Sequence, residues 1–176
     1  KSYMRDPSVN PYASTDPEGL VLYSDCADFP YFLRTYFAYK NGLPMAIAYG
    51  VQMNQQPYAS VVNPNVDITK AKFDSSPYGN YLTQRIASNI PLSPGRELNF
   101  VNYWLNVLGA VSTSTFRVGP LSPNYNYSDV YPVPVTRNGI RPGTVVHSNG
   151  HVLVVYDIDA KGTIRVVDAP PDNSLQ

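Results

Sequence analysis

The apolar and polar positions of the chain fall into two regimes. From Phe29 to about Asn41 the apolar residues recur at helical spacing, with Phe29, Leu33, Tyr36 and Phe37 on one face, and Gly42 and Pro44 close the segment as a helix C-terminus should be closed. Two starts suit this helix. With Asp25 as N-cap, Pro30 falls one step beyond the positions whose N–H groups are free; with Phe29 as N-cap, Pro30 takes the favoured first position. A second helical pattern runs from Ser93, with Pro94 as first residue, to about Leu108, burying Val101, Trp104, Leu105 and Leu108. A shorter helix is expected at about Tyr78–Ser88, with Tyr81, Leu82 and Ile86 inward, and a short strand at Met45–Tyr49. From Ser112 onwards the period becomes that of strands, with β-like segments at Thr115–Val118, Tyr131–Val135 and Thr144–His147.

The strongest pattern lies between Gly150 and Asp168. Two β-branched runs, Val152–Ile158 and Thr163–Val167, flank the polar loop Asp159-Ala160-Lys161-Gly162, which predicts a β-hairpin. With a four-residue loop and Gly162 in the left-handed conformation, Ile158 opposes Thr163 and Leu153 opposes Asp168. His151 then shares a face with Asp168 and lies diagonally across from it, at a Cβ separation of roughly 7–8 Å or a little less, which an imidazole and a carboxylate can close with one hydrogen bond. The preceding Asn149-Gly150 is itself a hairpin turn signal, setting Ser148 opposite His151 and His147 opposite Val152. His147 therefore points to the other face.

Helices first and an antiparallel sheet afterwards indicate an α+β fold, and 176 residues suit a single domain. The first 22 residues, with Pro7, Pro11, Pro17 and Gly19, read as an irregular arm wrapped over that domain. Residues 45–77, rich in Gln, Asn, Ser and Pro, read as a long excursion of the kind that forms lids or binding surfaces. No internal repeat is present.

Composition narrows the functional classes. A formal net charge of zero, with charged residues at 15%, provides no basic field for nucleic acid or anionic lipid. No apolar run approaches the length of a membrane span. Fifteen tyrosines and 17 prolines among many Asn and Ser make a polar, weakly charged surface suited to an exported protein and glycan-rich partners. The chain opens at Lys1 without an initiator Met or a signal-peptide pattern, as expected where a leader is removed or lies outside this sequence. Asp157 and Asp159 lack the further ligands of a calcium loop, and no metal is expected.

One cysteine forbids an internal disulfide and leaves a thiol to account for. Cys26 lies near the start of the first helix, where the dipole lowers a thiol pKa and backbone N–H groups can receive a developing oxyanion. A lone cysteine can equally be an inert core residue. What gives Cys26 functional weight is the predicted His151–Asp168 pair.

A cysteine at a helix start, a histidine opening a strand and an acid on the next strand is the order of the papain-like cysteine hydrolases. Locally the chain most resembles the NlpC-type cell-wall peptidases and the related CHAP amidases. Asp25-Cys26 leading into a helix that ends near Gly42-Leu43-Pro44 resembles their nucleophile helix, and Pro142-Gly143-Thr144-Val145-Val146 followed by Gly150-His151-Val152 resembles the strand pair ahead of their catalytic histidine. The resemblance implies a nucleophile helix packed on a C-terminal antiparallel sheet, with residues 45–135 as a long insertion that it does not cover. It implies Cys26 as nucleophile, His151 as general base and then acid, Asp168 as the residue that orients the imidazole, and Tyr12, fourteen residues before Cys26, at the oxyanion site. The Trp-Gly-Gly that usually follows such a tyrosine is absent, and Cys26 is followed by Ala-Asp where the family has Ser-Gly.

The expected activity is cleavage of amide bonds in peptidoglycan peptides, or in another peptide or amide substrate, outside the cytoplasm and with no cofactor. The His–Asp spacing also resembles that of transglutaminase-like enzymes, which pass the acyl group to an amine. A noncatalytic glycan- or protein-binding module on the same fold is the reading from another class.

Overall fold

The structure is a computed structural model that describes residues 5–16, 18, 24–53, 80–89, 100, 101, 104, 111–117, 128–148 and 150–169. Its helix, Asp28–Asn41 (α1), is defined at both ends by its own sequence. At the N-terminus the Asp25 carboxylate accepts from the N–H groups of Ala27 and Asp28 at 2.8 and 2.9 Å, while its carbonyl accepts from Phe29 at 3.0 Å. Asp28 Oδ2 reaches back to the Asp25 N–H at 3.3 Å, so the two acids form a reciprocal capping box. Of the two starts the sequence allows, the Asp25 cap is the one adopted. Pro30 accordingly lies inside the helix and withholds the N–H that would have bonded the Cys26 carbonyl. At the C-terminus Gly42 takes φ 63°, Leu43 N–H donates to the Ala38 carbonyl and Gly42 N–H to that of Tyr39, which is a Schellman closure.

The buried stripe of α1 differs from the expected one. Tyr31, Phe32, Thr35, Tyr36 and Tyr39 are buried, Phe29 and Leu33 are half-buried, and Phe37 is 52% exposed. A dense aromatic stripe outcompetes the one centred on Phe37, because each aromatic finds a ring partner: Phe32 meets Trp104 edge-on at 5.3 Å, Tyr39 stacks on Phe100 at 4.5 Å, and Tyr31 meets Phe116 at 5.5 Å. Phe100, Val101 and Trp104 are helical, with Phe100 and Trp104 buried; the remainder of the helix expected from Ser93 to Leu108 lies outside the described residues. The amino-terminal arm packs on the same helix as expected, through Asn10 Nδ2 to the Tyr36 hydroxyl, that hydroxyl to Asp16 at 2.6 Å, and Lys40 to Asp16.

Met45, Ile47 and Ala48 carry the core into the next element, the strand Pro44–Met53 (β1), which pairs antiparallel with Asn80–Asn89 (β2). Of the segment expected as a helix at Tyr78–Ser88, the described part, from Asn80 on, is therefore a strand, and Tyr78 lies outside the described residues. The four-residue step from Leu82 to Ile86 fits a helical face and alternate strand positions equally well; the long-range ladder, with Val51 opposite Leu82 and Ile47 opposite Ile86, decides it. Two more strand expectations give way. Thr113–Arg117 is a short 3-10 helix with Thr115 buried, and residues 131–135 form no strand because Pro132 and Pro134 lack the donors a ladder needs.

The second sheet has the order β3-β4-β5, with β3 Val145–Ser148, β4 His151–Ile158 and β5 Ile164–Val167, all antiparallel. Ser148 opposes His151 and His147 opposes Val152, the expected register. The β4–β5 loop is one residue longer than expected, since Ile158 opposes Ile164, with the Asp159 carboxylate accepting from Lys161 and Thr163 N–H. A bulge at Tyr156 absorbs that extra residue. Val154 then opposes Val167, and the next rung of the same register is Leu153 with Asp168. Among the described residues, α1, the β1–β2 pair and the small three-stranded antiparallel sheet make the architecture α+β.

Candidate active site

The site is built upward from two backbone features. The turn at Gly150, with φ 81°, starts β4 so that His151 is its first residue. The bulge at Tyr156 sets the register that carries Asp168, one residue past β5, to the neighbouring position. His151 Nε2 and Asp168 Oδ2 are 2.5 Å apart, with side-chain exposures of 35% and 14%. A carboxylate accepts in this contact, so Nε2 carries a proton, and in the neutral ring the lone pair lies on Nδ1. The pair is thus an oriented imidazole whose Nδ1 makes no hydrogen bond among the described residues.

Cys26 sits in the turn immediately before α1, half-buried and unbridged. Because the Asp25 carboxylate occupies the N–H groups of Ala27 and Asp28, they are not donors for an oxyanion; the N–H of Cys26 itself has no acceptor among the described residues. Among the described residues no hydrogen bond joins the Cys26 thiol to His151 or Asp168. His151 and Asp168 are therefore brought together, and Cys26 lies at the capped end of α1. Strand alternation sets His151 on the opposite face of β4 from Val152 and Val154.

Tyr12 is placed elsewhere. Its hydroxyl receives the Asn41 amide at 3.0 Å, and its ring meets Tyr36 and Phe37 at the C-terminal end of α1. At about 1.5 Å per residue, that is one helix length, about 20 Å, from the end that carries Cys26. Tyr12 thus packs against the end of α1 opposite the one that carries Cys26.

Two titratable groups stand out beyond the expected set. Asp28 is buried, its Oδ1 makes no hydrogen bond among the described residues, and burial, with the Asp25 carboxylate beside it, pushes its carboxyl up to about 7. The signal for it in the sequence is the Asp25-x-x-Asp28 spacing of a capping box. His147 faces away from His151 as expected, with a buried Nε2 that has no partner among the described residues; burial and the nearby Arg117 hold its pKa below the usual imidazole range. Among the described residues no group of three or more His, Cys, Asp or Glu side chains is placed to hold a metal ion, and no helix is long and apolar enough to cross a membrane.

Comparisons of the chain with protein-family models, with curated proteins and with solved structures find no match. Chemistry is therefore read from the residues: an oriented imidazole base at one sheet end and a thiol at a capped helix end.

Proposed function

We propose that this protein is a cysteine amidohydrolase with a papain-like arrangement, in which α1 is the nucleophile helix and β3–β5 the supporting sheet. The observation that carries the reading is the 2.5 Å contact between His151 Nε2 and Asp168, which leaves Nδ1 as the free base. In the proposed reaction Nδ1 takes the Cys26 proton and the thiolate attacks an amide carbonyl, forming a C–S bond. The C–N bond then breaks as the imidazolium protonates the departing amine. Water, deprotonated by His151, hydrolyses the thioester and regenerates the thiol. Asp168 stabilises the imidazolium and fixes its tautomer. The Cys26 N–H is the candidate oxyanion donor. Peptide amide bonds of the bacterial cell wall, met outside the cytoplasm, are the substrate class suggested by the NlpC-like segments around Cys26 and His151.

The reaction requires the Cys26 sulfur to reach Nδ1, and alkylation tests that contact directly. At mildly acidic pH, iodoacetamide is expected to modify Cys26 about tenfold faster than a free thiol, and His151→Ala to abolish the advantage. Ordinary thiol reactivity in the wild type would overturn the reading and leave the His151–Asp168 pair as a tie between β4 and the end of β5. Product analysis on cell-wall fragments, with and without an added amine, separates hydrolysis from acyl transfer.

A further inference from the structure

A cavity of about 280 Å³ lies between α1 and the β3–β4 face, and the proposed chemistry does not use it. Pro30 and Leu33 wall it on the helix side, Val145 and Val154 on the sheet side, and its charged groups are Arg34 and Asp129. The two charged residues differ sharply in exposure. The Asp129 side chain is 3% exposed and fully engaged: Oδ1 accepts from Arg34 Nη1 at 3.0 Å, and Oδ2 from the Tyr31 hydroxyl and the Ala48 N–H. The Arg34 side chain is 48% exposed, and among the described residues Nη1 alone is engaged. The ion pair is thus a dipole with its negative end buried and its positive end at the mouth. A guanidinium has five donors in a planar fork, and its Nε–Nη2 edge matches a carboxylate bidentately. The rim at Gly143 is open, since a Cβ there would meet nothing within 4 Å.

Apolar walls with one oriented charge are the usual make-up of a small-molecule site, and this volume is near the lower end of such sites. We propose that the cavity binds a small carboxylate with an apolar tail, a branched-chain or aromatic acid the size of phenylpropionate, the tail between α1 and the sheet and the carboxylate on Arg34. None of Cys26, His151 and Asp168 lines it, so the site stands or falls independently of the hydrolase reading.

Calorimetric titration of the full chain with phenylpropionate, phenylpropanol and phenylpropylamine tests the assignment. The carboxylate should bind about tenfold more tightly than the alcohol, with the amine weakest. Arg34→Gln should bring the carboxylate down to the alcohol's affinity and leave the alcohol unchanged. Because that variant strands Asp129, Arg34→Lys is the second test: it keeps the charge but not the fork, and should give an intermediate affinity. Val145→Phe, which fills the cavity, should abolish binding of all three. Equal affinities for acid and alcohol, binding indifferent to both Arg34 variants, no binding at all, or a dimer that closes the cavity would each overturn the proposal.

Discussion

The two ends of the candidate site rest on different physics. Around α1 the packing is aromatic and long-range: Phe32, Tyr36 and Tyr39 close on Phe100 and Trp104, and the arm and β1 add further buried contacts. The β3–β5 sheet is local. Val152 and Val155 of β4 are buried, yet Ile164, Val166 and Val167 of β5 are all about 40% exposed, and the strand is held by its ladder, by Arg165 on Asp157 and by His151 on Asp168. The Cys26 end is thus fixed by core volume and the His151 end by register. A substitution that disturbs one end by packing should reach the other only through global unfolding.

The largest effects belong to the aromatic half. Trp104→Ala is expected to cost about 3–5 kcal/mol, read as a lower urea midpoint, because no small side chain refills the space between Phe32 and its neighbours. Val155→Ala, at a fully buried position of the sheet, should cost about 2 kcal/mol. If Val155→Ala proved the more damaging, the contrast between a packed half and a paired half would fail.

Asp28 gives the contrast a pH dependence. Burial first, and Asp25 second, raise its carboxyl from 3.8 to about 7, so between those values the folded state holds a proton that the unfolded state releases. Stability is then greatest below about pH 4, falls as pH rises towards 7 and is flat beyond. With screening by water the loss should amount to about 1–2 kcal/mol. His147 acts in the opposite sense: its lowered pKa costs stability as pH drops below 6.5. In a His147→Gln background, urea midpoints at about pH 5 and about pH 8 should differ for Asp28 and agree for Asp28→Asn. Asp25→Ala should cost about 1 kcal/mol through the lost cap. It should also let the Asp28 carboxyl titrate lower, visible as a smaller slope in the same experiment.

Local chemistry was readable in the sequence, and long-range pairing was not. Gly42 and Pro44 marked the end of α1, Asn149-Gly150 fixed the β3–β4 register, and the His151–Asp168 contact followed from strand diagonals even though the β4–β5 loop is a residue longer than expected, because the bulge at Tyr156 compensates. Asp25 as cap was one of two local solutions, and the choice between them required the observed hydrogen bonds. The spacing at Asn80–Asn89 suits a helix locally, and the partner that makes it a strand lies 27 to 45 residues away along the chain. The Arg34–Asp129 pair, 95 residues apart, carries no local signal at all. The buried face of α1 was misjudged because helical spacing permits several stripes, and the ring partners that select one come from Phe100, Trp104 and Phe116.

The smallest expected effect probes the weakest part of the sheet. Val155 and Val166 oppose each other on one rung, yet Val155 is fully buried and Val166 is 41% exposed. Truncation at Val166 removes little area from a place that keeps much of its contact with water, so Val166→Ala should shift stability by no more than about 0.5 kcal/mol, a quarter of the cost at Val155. The two variants share strand pairing and differ in burial, which isolates the packing term. Denaturant midpoints of the two variants and of the double variant provide the check. Because the side chains are neighbours, their coupling should be small only if Val166 contributes little packing to Val155. A cost above about 1 kcal/mol at Val166 would mean that β5 is covered in solution. In that case the His151 end would be held by packing as well, and the division between the two halves would no longer stand.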